Sequence, residues 1–143
     1  MRTIKFRAKE VCRGEWITGD LVHYTHPMRE KVCIHDYETG IEHDVAEDTV
    51  GQYIGREDCD GTPIYEGDII SVNGRYPKVV RYIDEWHSFC VANLDAITDP
   101  CMSRWDDVCN YQQPAPNWWN DFKREIKVIA NEYDNPELVK VKK

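Results

Sequence analysis

At 143 residues, 41% hydrophobic and 31% charged, the chain is sized for one ordinary domain or two small lobes sharing a core, with a thin apolar interior and a large polar surface. Eighteen Lys and Arg against 26 Asp and Glu leave a formal charge of -8; such a field repels phosphate backbones at long range and disfavours generic nucleic-acid binding. Met1-Arg2-Thr3-Ile4-Lys5 lacks the apolar segment of a secretion signal, and no run approaches the ~20 apolar residues of a membrane span, so a cytoplasmic protein without membrane partners is expected.

Ile4-Lys5-Phe6-Arg7-Ala8 alternates apolar and basic residues, the pattern of a half-buried strand with one wet face. Arg2, Lys5, Arg7 and Lys9 form a candidate nucleic-acid contact, weighed against a plain solvated face. Glu15 to Tyr24 reads as a second strand with a bend or bulge at Gly19, and Lys31 to His35 as a third, followed by a turn at Glu38-Thr39-Gly40. Asp44 to Asp48 is a short turn into Thr49-Val50-Gly51-Gln52-Tyr53-Ile54.

The stretch from Thr49 to Ile70 sets two apolar runs around a polar turn. Asp60-Gly61 has the chemistry of a tight reversal, because glycine reaches positive φ without a Cβ clash. Pro63 cannot donate to a ladder and belongs at a strand start or sheet edge. Glu66-Gly67-Asp68 breaks the chain again before Ile69-Ile70-Ser71-Val72. Asn73-Gly74 between β-branched runs is a hairpin signal, since both central residues of a type I′ turn need positive φ; the return strand runs from Arg75 to Ile83. Asp84 to His87 is the next turn, with Ser88-Phe89-Cys90-Val91 returning. This succession suggests a small, strongly bent barrel of the SH3 type, an analogy of shape alone.

Asp99-Pro100 predicts a short amphipathic helix to Cys109, with aspartate as N-cap, proline at the first position and Met102, Trp105 and Cys109 on one face. Gln112 to Asn120, with Pro114, Pro116 and Trp118-Trp119, reads as an ordered connecting loop. Glu125 to Ala130 alternates and closes the sheet, and Asn135-Pro136-Glu137-Leu138 is a terminal turn. The fold class is therefore mainly β (β-rich α+β): an N-terminal lobe over residues 1–60 and an SH3-like barrel lobe over 61–143, with one short helix and a shared core.

Six cysteines (Cys12, Cys33, Cys59, Cys90, Cys101, Cys109) include no C-x-x-C pair, which removes the usual zinc-ribbon and thioredoxin-like readings. His23, His26, Cys33, His35 and His43 raise a metal site or a metal-dependent hydrolase, but their spacing is irregular and structural zinc needs four converging ligands. Glu57, Asp58 and Asp60 around Gly61 fall short of a calcium loop, lacking enough ligands and a closing glutamate. Asp106-Asp107 point about 100° apart on a helix and are a poor acid/base pair. No metal or cofactor site and no catalytic constellation is assigned. The rings of Trp86, Trp105, Tyr111, Trp118 and Trp119 are the candidate ligand or subunit contacts, against the alternative that they plug the ends of a small barrel.

Three blocks, Ile4 to Ala8, Thr49 to Ile70 and Lys127 to Leu138, together resemble the YopX family of small bacteriophage and prophage proteins. Lys9 and Ala130 stand where an aromatic and a glycine are expected, and the interior from Trp86 to Phe122 carries no matching pattern. The resemblance implies a β-rich two-lobed fold, encoded by a phage or an integrated element of a bacterial host and assembled as a homo-oligomer; it implies no catalytic residue and no cofactor. Two functions remain open: a non-catalytic accessory or binding protein with an unknown protein partner, and a nucleic-acid-associated module of phage replication or regulation.

Overall fold

The computed structural model describes residues 1–101, 111–121 and 123–141. The chain divides into two compact units, Met1–Gly55 and Arg56–Lys143. Among the described residues it is mainly β, built on two antiparallel sheets with two short α-helices.

In the first unit, β1 (Phe6–Lys9), β2 (Trp16–His26), β3 (Arg29–Asp36), β4 (Glu42–Asp44) and β5 (Gly51–Glu57) lie in the order β4-β3-β2-β1-β5, and β5 runs on across the boundary at Gly55. The alternation seen in β1 works as period two requires. Phe6 and Ala8 face a core of Ala8, Val32, Ile34 and Val45, edged by Ile17, Leu21 and Val50, while Lys5, Arg7 and Lys9 take the opposite face. Thr49, in the 3-10 turn Glu47–Thr49, ties this sheet to its loop: its hydroxyl accepts from the Lys9 N–H at 2.9 Å and donates to the Ala46 carbonyl at 2.7 Å.

Gly19 makes no bulge. Its register is continuous on both sides, opposite Phe6 of β1 and Asp36 of β3. The reason for glycine is close approach: a Cβ there would stand 1.7 Å from the His35 carbonyl oxygen, so β3 can come close only where no side chain intervenes.

The second unit contains β6 (Pro63–Tyr65), β7 (Asp68–Val72), β8 (Arg75–Ile83), β9 (Ser88–Asn93), α1 (Leu94–Thr98), β10 (Tyr111–Gln112), α2 (Pro116–Asn120) and β11 (Ile126–Asn131). Its sheet has the linear order β10-β9-β8-β7-β11. The mainly β class expected here is present, as an antiparallel sheet with β10 and β11 at its edges. Asn73 (φ 53°) and Gly74 (φ 72°) form the expected hairpin turn between β7 and β8, and Pro63 opens β6. The core gathers Ile69, Val79, Ile83, Cys90, Ala92, Leu94 and Tyr111.

The motif residues of the central and terminal blocks organise backbone. Asp68 is buried, and its Oδ2 accepts from the Tyr65 N–H at 2.8 Å. Gly67 (φ 86°) lies under Tyr133, whose ring would meet an added Cβ at 2.5 Å. Asn131 Oδ1 accepts from the N–H groups of Tyr133 and Asp134, and its carbonyl from that of Asn135, which leads into the 3-10 turn Pro136–Leu138.

Two sequence expectations change between residues 94 and 120. A helix precedes the expected one: Leu94–Thr98 is helical and ends at Asp99, which is extended, with its carboxylate accepting from the Cys101 N–H at 2.7 Å. The rest of the expected helix, including Met102, Trp105, Asp106, Asp107 and Cys109, lies outside the described residues. The expected loop from Gln112 to Asn120 instead holds β10 and α2. Pro116 is at the first helical turn, where its missing N–H costs nothing and its fixed φ suits the helix.

Candidate functional site

The second unit contains a cleft of about 300 Å³ lined by Arg56, Glu57, Asp58, Cys59, Trp119, Asn120, Asp121, Arg124 and Ile126. Two segments far apart in sequence build it. One is the end of β5 and the turn after it; the other is α2 and the start of β11.

The turn is organised by one carboxylate. Asp58 Oδ1 accepts from the N–H groups of Asp60 and Thr62, each at 2.9 Å, and Oδ2 from that of Val128 in β11 at 3.0 Å. The Asp58 N–H closes the reversal on the Thr62 carbonyl, and the Cys59 N–H donates to the Ile126 carbonyl at 2.9 Å. The turn thereby covers part of the outer edge of β11, where an open edge would pair with other chains. Burial pushes the Asp58 carboxyl up, but the three backbone N–H groups outweigh it and hold the group below the ordinary carboxylate value. Burial and the neighbouring Asp60 charge push the Cys59 thiol up.

The two segments meet in a layer of cations on rings. Trp118 and Trp119 meet edge to face with centroids 4.9 Å apart. The Arg56 guanidinium lies 5.7 Å from the Trp119 ring centre and donates from Nη1 to Asn120 Oδ1 at 2.7 Å. The Arg124 guanidinium lies 5.4 Å from the Trp118 ring centre, donates to the Trp118 carbonyl at 3.0 Å and pairs with Asp121 at 3.7 Å. Each such stack contributes about 0.5–1 kcal/mol at a partly exposed site, enough to fix a long side chain in one orientation.

The other candidate rings separate. Tyr111 is buried in the core and its hydroxyl accepts from Arg81 Nη1 at 2.6 Å, while Arg81 pairs with Glu132 at 3.1 Å. That ring plugs the interior. Trp86 is 36% exposed in the 3-10 turn Asp84–Trp86, and Trp105 lies outside the described residues. The structure thus joins Trp118 and Trp119 and adds Arg56, Asn120 and Arg124, which sequence reasoning missed. The available signal was Arg56 at an alternating position of β5, inside a block read only for its turn chemistry.

In the first unit the basic residues of β1 are also laid on rings. Lys5 Nζ is 4.7 Å from the Tyr53 ring centre, and Arg7 and Lys9 lie 4.6 and 5.4 Å from that of Trp16. Arg2 precedes the strand and is exposed.

The histidines and Cys33 go to different neighbours. His23 faces Glu30 at 3.8 Å, the His26 ring accepts from the Met28 N–H, and the His43 ring lies 3.6 Å from Asp36 and 4.0 Å from Glu10. Cys33 is buried and donates to Asp44 Oδ1 at 3.1 Å; burial and that bond push its thiol up to about 11. Among the described residues, no three His, Cys, Asp or Glu side chains converge to hold a metal ion. No helix among them is long and apolar enough to cross a membrane.

One solved structure, the crystal structure of protein EF1440 from Enterococcus faecalis, is similar over 98% of this chain and 100% of its own, with a TM-score of 0.53 and 18% identity. At that identity the likeness concerns the fold alone. Among curated proteins, none matches. The description "YopX protein" belongs to the family that matches residues 5–140, nearly the whole length, and so the chain belongs to the YopX family.

Proposed function

We propose that this YopX-family chain is a non-catalytic binding protein whose ligand site is the cleft of the second unit, taking a planar, negatively charged group. One observation carries this reading: the recognition groups face the cleft as oriented stacks, while Asp58 holds backbone, Asp121 is paired and the Cys59 thiol is kept neutral. Asp58 spends both oxygens on three N–H groups, Asp121 pairs with Arg124, and the Cys59 thiol is pushed away from the thiolate. Arg56 and Arg124 supply charge, and Trp119 supplies a face for a flat ligand.

The family resemblance supports an origin in a phage or integrated element and a role in the bacterial cytoplasm. Self-association is part of the same reading. It is supported by Tyr76, Tyr82 and Trp86, which stand 66, 40 and 36% exposed on β8 and the turn after it. Light scattering behind a sizing column checks this, and a monomer at about 100 µM would remove self-association, since a dimer held no more tightly than ~1 mM gains only about 4 kcal/mol.

The ligand site is tested with naphthalene-1-sulfonate, a planar aromatic anion, followed by quenching of tryptophan fluorescence. Saturable quenching is expected, weakened about fivefold by Arg56→Gln and by Trp119→Leu, which is the worth of one cation–ring contact of ~1 kcal/mol. Quenching that is linear in probe, or equal in both variants and the parent, sinks the cleft as a binding site.

A further inference from the structure

We infer that the β1 face of the first unit is a second binding site, for single-stranded nucleic acid. The inference does not rest on the cleft.

Arg7 and Lys9 of β1 and Lys5 just before it alternate along one face, so successive positions are about 6.8 Å apart, two residues of rise. A single nucleic-acid strand carries one phosphate charge per nucleotide at a regular interval, which a row of evenly spaced cations can follow. They are also pre-oriented. Tyr53 lies beneath Lys5, and Trp16, opposite Lys9 in the register with β2, lies between Arg7 and Lys9.

Charge is segregated to match. Residues 1–9 contain Arg2, Lys5, Arg7 and Lys9 and no Asp or Glu, whereas residues 10–55 contain three Lys and Arg against ten Asp and Glu, 3 minus 10 or -7. A duplex, which presents a broad field of phosphates, meets that surrounding negative charge. A single strand can follow the narrow basic strip, as strands follow the basic grooves of single-strand binders.

The test is fluorescence anisotropy of a fluorescein-labelled oligothymidylate of about 15 nucleotides, within the site sizes of single-strand binders. With three phosphate contacts, affinity should fall about 20-fold between ~50 and ~200 mM salt; Lys5→Gln with Lys9→Gln should bind more weakly and cut that fall to about threefold. Lys5→Arg with Lys9→Arg should retain binding, and Trp16→Leu should weaken it without changing the salt dependence. Urea midpoints equal to the parent's show that the variants are folded. No binding at ~50 mM salt and ~100 µM protein, the weak end of the ordinary range of non-specific affinities, overturns the proposal. So does unchanged affinity in the Gln pair, equal competition by polyglutamate of the same length, or tighter binding of the matching duplex. Arg56→Gln should leave oligonucleotide binding unaltered; its loss in that variant would move the activity to the cleft and equally overturn the assignment to β1.

Discussion

The β1 face of the first unit and the cleft of the second both lay cations on aromatic rings, but they reach that arrangement by different means. On β1 the placement follows from strand geometry: period two puts Lys5, Arg7 and Lys9 on one side, and antiparallel register sets Trp16 opposite Lys9. The cleft is instead assembled from the ends of separate elements, β5, α2 and β11, and the turn after β5. Arg56 and Asn120 are 64 residues apart, and the wall carrying Arg56 is tied to β11 through the Asp58 carboxylate. A ladder-supported surface should therefore lose its shape only when the sheet is disturbed, and a loop-supported one when a single polar group is removed.

That contrast can be broken at either end. The largest effect is expected from Gly19→Ala, because the added methyl would stand 1.7 Å from the His35 carbonyl and force β2 and β3 apart; overpacking of this kind costs about 3 kcal/mol. Urea unfolding should show that loss, and a parent-like midpoint would mean that the strands separate at little cost. Asp58→Ala should come next, at about 2 kcal/mol, since three N–H groups lose a charged acceptor at a partly exposed site. It should also abolish probe binding in the cleft while leaving oligonucleotide binding on β1 intact, and loss of both would deny the independence of the two sites.

Smaller effects sharpen the comparison. Asp58 in the second unit and Asp36 in the first are both held below the ordinary carboxylate value of 3.8. For Asp36 the largest cause is the Glu38 N–H; for Asp58 the backbone bonds overcome burial. A carboxyl depressed in the folded state stabilises fully above its unfolded value, and that contribution is lost as pH falls through the lower folded value. Stability should thus be flat near neutrality and fall below about pH 3.8, less steeply in Asp58→Asn than in the parent when both are compared by urea midpoint. The smallest change is expected from Arg56→Gln. Removing one partly exposed stack should lower stability by under about 1 kcal/mol while still weakening the cleft's ligand, so a large shift in thermal midpoint would recast Arg56 as structural.

What could be read in advance follows the range of the forces involved. Asn73-Gly74, Pro63 and Pro136 act through φ and a missing N–H, within a turn or so of themselves, and each appears where residue chemistry puts it. The helix Pro116–Asn120 had a legible signal, proline at the first turn, which the two nearby prolines and the tryptophan pair obscured. Gly19 stands out as a glycine inside a strand, a signal that fits a bulge and a close backbone contact equally well. Tyr111, grouped by composition with the tryptophans, is buried beside Arg81, a partner 30 residues away.

From sequence alone came the β-rich antiparallel class, the turns, the two-faced first strand and the family, all properties of local residue chemistry and ordered motifs. Tertiary structure alone decided which aromatic rings fill the core and which flank a cleft, why Gly19 must lack a side chain, and that Arg56 meets Trp119 and Asn120. Those outcomes depend on contacts between residues tens of positions apart, and such contacts are set by how sheets and loops pack rather than by any spacing along the chain.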